Sequence, residues 1–288
     1  MKEKWKIVAD SSADLLTLSD VPFKSVALKI GTADFEYVDD ATLDVEEMMT
    51  ALEGYSGKSG SSCPSVGDYL AAFGESEQIF CVTITRGLSG SYNAAMKAAS
   101  DYRAANPERR VYVIDTLSTG PECTMLIEKL QSLILADLSF DEIVDKINEY
   151  KRQTHLIFAL ESLKNLANNG RVNSVVAKLA GILGIRVVGQ ASTQGTLEIS
   201  AKVRGGEKAI AEIMKVMDEN GYQGGVVRIH HADNPRAALV LKKRIKALYP
   251  DATIKVKHTR GLCSFYAERG GLLVGYEGKK KTQERITE

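Results

Sequence analysis

The chain lacks most of the signatures that would announce a chemistry. Lys+Arg and Asp+Glu both number 37, so the formal net charge is zero. Without a basic surplus there is no bulk attraction to nucleic acid, and the stretch EGKKKTQER from Glu277 has the composition of a solvated tail. The four cysteines, Cys63, Cys81, Cys123 and Cys263, stand far apart with no C-x-x-C spacing. Reduced thiols in a cytoplasmic protein are the simplest reading. No apolar run approaches the ~18 residues that a membrane helix needs, so no stable membrane insertion is expected. The N-terminus reads as entering a strand within a few residues, so no signal peptide is expected. Histidine is scarce as well: His155, His230, His231 and His258 are the whole set. None sits in H-E-x-x-H or a comparable spacing, and adjacent His230 and His231 point to opposite faces of a strand. No metal site is expected. GKSG from Gly57 has the look of a P-loop but lacks the glycine five residues earlier, where Leu52 stands, and it follows a helix rather than a strand. There is no internal repeat.

What is present reads as α/β. The 288 residues, 44% hydrophobic and 26% charged, are enough for two domains of an ordinary globular protein. KWKIVAD, QIFCVTIT and VYVID are apolar strands, each followed by a small-residue loop and then a helix or hairpin. KSVALKI puts Val26, Leu28 and Ile30 on one face, with FEYV as a hairpin partner. Asp44 caps one helix, Ser65 and Asp68 bracket the start of the next, and YSGKSGSSCPS between them reads as a glycine/serine loop. This alternation predicts an N-terminal domain over residues 1–152, a parallel sheet between two helical layers. Past residue 153 the texture changes. LIFAL is a strand, ESLKNLANNG and NSVVAKLAGILG are helical, and IRVVGQASTQGTLEISAKVRG is a hairpin with Gln194 and Gly195 at its tip. Two further helices and the strands GGVVRIHHA, TIKVKHT and GGLLVGYEG predict a second α/β domain, 153–288, with a mostly antiparallel sheet.

In parallel sheets ligands collect at the carboxyl ends of the strands. Here those ends carry DSSAD, TRGLSGS and DTLSTG. Ser89 in the second is not in a G-x-S-x-G elbow, because Gly90 comes one residue early and Ser91 stands where the second glycine belongs. Two readings of Ser89 stay level, a helix cap and part of an anion site at a helix N-terminus. Ser61 and Ser62 offer two more hydroxyls ahead of a helix. His258 follows Ile254 and Val256 at period two, on the apolar face of its strand, where a histidine is a satisfied core residue or a partner for a carboxylate. Arg171 follows a helix-ending glycine, and Arg204 closes a strand beside two glycines.

Taken in order, these segments resemble the DegV family of bacterial fatty-acid-binding proteins. VADSSADL is similar to the family's V-T-D-S-T-A-D-L, GSSCPSVGDY to T-S-Q-P-S-x-G-x-F, TRGLSGSYNAA to S-S-G-L-S-G-T-Y and VIDTLSTG to V-I-D-S. NNGRVN is similar to G-G-R-I-S, HADNP to H-x-D-N-P and KHT to G-T-H-T-G. The resemblance covers nearly the whole chain. It implies a two-domain, DegV/dihydroxyacetone-kinase-like fold that buries one long-chain fatty acid and has no other cofactor. It implies a carboxylate held by Ser61, Ser89 and His258, with Ser62 and Gly90 as neighbours and Arg204 near the head group. Arg171 would lie near the docking site of a kinase subunit. Such a protein resembles a non-catalytic carrier for lipid metabolism, presenting fatty acid to a separate ATP-dependent kinase. Departures from the family pattern are Ser61 for threonine, Cys63 for glutamine, Asn169 for glycine, and RGLCSFYAERGG, with Arg260, Leu262, Phe265 and Tyr266, where the family has a glycine-rich turn. That last segment is expected to line the cavity. Two other readings remain, a serine hydrolase using Ser89 and His258 and a small-molecule sensor of the same fold.

Overall fold

The structure, a computed structural model, describes residues 4–172 and 184–281. The helical stretch read at NSVVAKLAGILG falls almost wholly outside them. The first half comprises β1 (Trp5–Asp10), β2 (Phe23–Val26), β3 (Lys29–Gly31), β4 (Glu36–Val38), α1 (Val45–Gly54), β5 (Gly60–Ser62), α2 (Val66–Phe73), β6 (Gln78–Thr83), α3 (Ser91–Ala105), β7 (Arg110–Asp115), α4 (Pro121–Leu135) and α5 (Phe140–Lys151). The second comprises β8 (Thr154–Leu160), α6 (Lys164–Asn168), β9 (Ile185–Ala191), β10 (Leu197–Arg204), α7 (Gly206–Glu219), β11 (Val226–His231), α8 (Pro235–Leu248), β12 (Thr253–His258), α9 (Gly261–Ala267) and β13 (Leu272–Glu277).

Strands β2-β1-β6-β7 form a parallel sheet in that order. Ile7, Ala9, Phe80 and Val82 pack one face against α4 and α5. Val8, Ile79 and Cys81, the alternate residues, pack the other against α2 and α3. Apolar side chains on both faces are what a sheet covered by helices on both sides requires. Strands β10-β9-β8-β13-β11-β12 form the second sheet, antiparallel except for the β11–β12 pair. Helix α4 lies between the two sheets, and ten of its residues, from Pro121 to Ile134, are buried. A helix apolar nearly all round belongs in an interior.

KSVALKI is not one strand. β2 belongs to the parallel sheet, whereas β3 joins β4 and β5 in a small antiparallel sheet. Val26, Leu28 and Ile30 are all buried, as their spacing requires, but in three different clusters. The segment read as a glycine/serine loop contributes β5, whose Ser61 pairs with Ile30.

The β9–β10 hairpin turns at Gly195 (φ +77°), where an added Cβ would fall 2.1 Å from Thr85 Oγ1 and 3.1 Å from Leu117 Cα. This tip therefore rests on loops of the parallel sheet. Gly195→Ala combines a left-handed backbone with a clash against that loop and is expected to cost roughly 2–4 kcal/mol. Gly170 (φ +71°), just after α6, has nothing within 4 Å of the same position, so Gly170→Ala should cost only about 1–2 kcal/mol. Urea unfolding of the two variants side by side checks the docking contact. Equal losses would show that the tip does not press on Thr85.

Candidate functional site

Between the two sheets lies a cavity whose walls are mostly apolar side chains. Its long wall comes from β8, whose alternation sorts the side chains. Ile157 and Ala159 face α7 and α8, while Leu156, Phe158 and Leu160 face the cavity, joined by Leu273, the cross-strand neighbour of Phe158. Leu28, Ile84 and Leu88 close the opposite side, and Leu166 and Leu197 add to the apolar lining. Walls of this kind offer apolar contact and no hydrogen-bond partners.

The polar lining is small and local. Ser61, Ser89, Arg171 and Tyr266 line the same cavity, with Thr119 and Cys263 further along. Ser61 stands on β5, and period two turns the exposed Ser62 to the other side. Ser89 stands in the turn before α3, which is pinned by backbone bonds from Leu88 N and Ser89 N to Thr85 O, both 3.2 Å. Its hydroxyl accepts from Ser91 N at 3.2 Å. The two readings of Ser89 therefore coexist: from one position ahead of the N-cap Gly90 it satisfies the first N–H of the helix, and it borders the cavity.

Asn169 and Arg171 bring these two elements together. Asn169 Nδ2 donates to Ser59 O at 3.2 Å, against β5. Arg171 Nε donates to Leu88 O at 3.2 Å, against the Ser89 turn, and its Nη1 donates to Asn169 O. Asparagine in place of the family's glycine thus supplies a strut between the loops. Among the described residues lining the cavity, Arg171 is the only charged one.

Tyr266 arrives on α9, a helix that sequence periodicity does not announce. Asp39 is its anchor: Gly261 N and Leu262 N each donate to its carboxylate at 2.9 Å. Arg260 N donates to Asp14 at 2.7 Å just ahead of the helix. An added Cβ on Gly261 would come within 2.8 Å of Asp39 Oδ1, so only glycine lets the helix start this close. At the other end Asn165 Nδ2 donates to Phe265 O at 2.8 Å. The result is a Tyr266 hydroxyl 2.8 Å from Ser61 Oγ.

The buried acids behind the site are structural. Burial raises Asp39 to about 6, opposed by its bond from Leu262 N. Burial likewise raises Asp10 to about 6, where it accepts from Ile84 N at 2.9 Å and ties β1 to the end of β6. His230 Nδ1 lies 2.7 Å from Asp14 Oδ2. Burial nonetheless holds this histidine below the ordinary imidazole value, against the opposing pull of its bond to Asp14. Burial pushes the Cys263 thiol well up, which keeps it an unreactive thiol on the cavity wall.

Of the residues singled out from sequence, Ser61, Ser89 and Arg171 come together, and Arg171 stands in the cavity wall rather than only on a docking face. Gly90 is exposed at the N-cap of α3, where an added Cβ would lie 3.0 Å from Cys63 Sγ. His258 is not brought to the cavity. It is exposed, its Nε2 accepts from Asp233 N at 3.2 Å, and its Nδ1 is 2.9 Å from Thr259 O. The period-two reading of its strand is right, but the face it shares with Ile254 and Val256 is the one turned to the α7/α8 core, away from the cavity. A Ser89–His258 pair is accordingly not assembled. Arg204 is exposed at the end of edge strand β10, opposite Ile185, and does not line the cavity. DSSAD, one of the three strand-end loops, faces α9 instead of ligand space. Tyr266, in the departing segment, does line the cavity, as expected of that segment. Its pairing with Ser61 and the anchoring role of Asp39 had no local signal.

The family model described as "Uncharacterised protein, DegV family COG1307" matches residues 4–278. A DegV domain-containing protein of Streptococcus pyogenes serotype M18 is 44% identical over 279 residues, covering 95% of this chain and 99% of its own length. A DegV family protein from Eubacterium eligens, solved loaded with heptadecanoic acid, superposes with a TM-score of 0.94 at 43% identity, covering 96% of this chain and 100% of its own. The Streptococcus pneumoniae Fatty Acid Kinase (Fak) B3 protein, solved loaded with linoleic acid, matches with the same TM-score, identity and coverage.

Proposed function

The chain belongs to the DegV family, and from that premise we propose that it binds a long-chain fatty acid and presents the carboxylate to a separate ATP-dependent fatty acid kinase. The observation that carries the reading is the cavity itself, apolar along its length with two serine hydroxyls and one guanidinium in its wall. Burying an alkyl tail contributes ~0.8 kcal/mol per methylene, on the order of ten kcal/mol gross for a common fatty acid. Affinity then resides in the tail, while polar groups orient the head. An ionised carboxylate leaves water only where donors replace it. Ser61, Ser89 and Arg171 form that set, with His258 and Arg204 outside it. On this reading the elements up to about residue 152 carry the head-group loops, and those from 153 cover the acyl chain. The chain itself performs no chemistry. The kinase partnership is supported by the 43% identity to a fatty acid kinase B protein over 96% of this chain.

Native mass spectrometry of freshly purified protein, followed by denaturing lipid extraction, tests the ligand class. A co-purifying or readily taken-up fatty acid is expected; an empty protein that refuses added fatty acids would overturn the reading. Ser61→Ala and Ser89→Ala should each retain tail binding but misplace the head group. Losing one hydrogen bond to a charged group costs roughly 1.5–3 kcal/mol, so acyl-phosphate formation with a partner kinase should fall by about 10- to 100-fold. Wild-type rates in both variants would remove the carboxylate from this end of the cavity.

A further inference from the structure

We propose that Tyr266 is a fourth head-group donor, beside Ser61, Ser89 and Arg171, and the residue that makes the site select a free carboxylate over an alcohol or ester of the same tail. The proposal rests on the fatty-acid reading and extends it. The phenol oxygen lies 2.8 Å from Ser61 Oγ, and both residues line the cavity beside Ser89 and Arg171. In a pair of hydroxyls one proton is used within the bond and the other is left to donate outward. An entering carboxylate, with two oxygens and about four acceptor positions, takes that free proton, or takes both when the pair opens around it. An alcohol has one oxygen and an ester carries no charge, so neither bonds the donors of three hydroxyl-bearing elements and a guanidinium as strongly as a carboxylate does.

The phenol is also held in place before any ligand arrives. Its ring packs where three apolar clusters meet: one with Ile30 and Met48, one with Leu28 and Leu262, one with Leu160 and Leu166. It stands edge-on to Phe265, ring centroids 4.8 Å apart. Helix α9 beneath it is fixed at its start by Asp39 and at Phe265 by Asn165. A donor locked by packing loses little freedom on binding, and that is the condition for a hydroxyl to discriminate between head groups.

The test compares wild type, Tyr266→Phe and Tyr266→His for binding of linoleic acid, linoleyl alcohol and methyl linoleate, by competition in native mass spectrometry. Phenylalanine keeps the packing and removes only the hydroxyl, and histidine returns a donor. Wild type is expected to favour the acid. Tyr266→Phe should lower the acid-to-alcohol preference by roughly tenfold or more while alcohol binding stays constant, and Tyr266→His should restore part of the preference. An unchanged preference in Tyr266→Phe, or a parallel loss for all three lipids, would reduce Tyr266 to a packing residue and overturn the proposal with the fatty-acid reading intact. A wild-type protein that takes up none of the three would overturn both.

Discussion

Arg171→Ala is expected to lower fatty-acid affinity at pH 7 by about 10²–10³-fold, the larger of the two effects argued here. Arg171 is the only charged residue among the described residues of the cavity wall. Removing one partner of a buried charge pair costs about 3–5 kcal/mol, because the other charge is left stranded. A fatty acid has an escape from that penalty: it can bind as the neutral acid. Protonating a carboxyl of ordinary pKa, about 4.3, at pH 7 costs about 4 kcal/mol, which caps the loss. The cap has its own signature. In the variant, affinity should rise nearly tenfold for each unit that pH falls from 7 toward 5, while wild-type affinity changes little over that window. Arg171→Lys should fall between the two, since an ammonium keeps the charge but cannot hold Leu88 O and Asn169 O while facing the cavity. Binding titrations at three pH values decide the matter. Wild-type affinity in Arg171→Ala at pH 7 would show that the guanidinium does not meet the head group.

Asp39→Ala is expected to be the most destabilising single substitution near the site. It strands Gly261 N and Leu262 N, two buried donors, each costing about 1–3 kcal/mol. It also frees α9, which carries Leu262, Cys263, Tyr266 and Ala267 of the cavity wall. The loss should depend on pH in a defined direction. Folding raises Asp39 from its ordinary value of 3.8 to about 6, so the native state holds this proton more tightly than the unfolded chain. The corresponding stability is fully present below about 4, declines as pH rises, and is gone above about 6. A shift of that size amounts to up to about 3 kcal/mol. The variant lacks this contribution, so its deficit relative to wild type should be larger at pH 4 than at pH 7. Urea denaturation at the two pH values checks the sign. A deficit that grows toward pH 7 would mean that the native structure prefers the charged carboxylate.

Much of the fold was legible because it is written in periodicity. Val82 and Ile84 alternate with threonines before an alanine-rich helix, and the strand, turn and helix are where that change of period puts them. The capping pair Ser65 and Asp68 starts α2 as read, with each side chain bonding the other's backbone. The hairpin turns at Gly195. Where the reading failed, a local pattern was shared out by tertiary contacts. KSVALKI keeps its buried face but supplies two sheets. Helix α9 has seven residues and no capping side chain at its N-terminus. It forms where it does because Asp39, more than 220 positions earlier, receives its first free N–H groups.

The site divides the same way. By itself the sequence determined most of the elements, the parallel and antiparallel halves, the family through motifs in order, and the hydroxyls Ser61 and Ser89 at loop and strand ends. These are properties of residues and of spacing along one chain. Only the tertiary structure decided which polar groups meet. It brought Arg171 into the cavity wall, set Tyr266 against Ser61, left His258 and Arg204 at the surface, and gave the first acidic loop to α9 instead of a ligand. The physical reason is that the proposed head-group site is a convergence of side chains from β5, the turn before α3, the segment after α6, and α9. Which of them face one another depends on sheet register and on anchors hundreds of residues apart, and neither leaves a periodic trace in the chain.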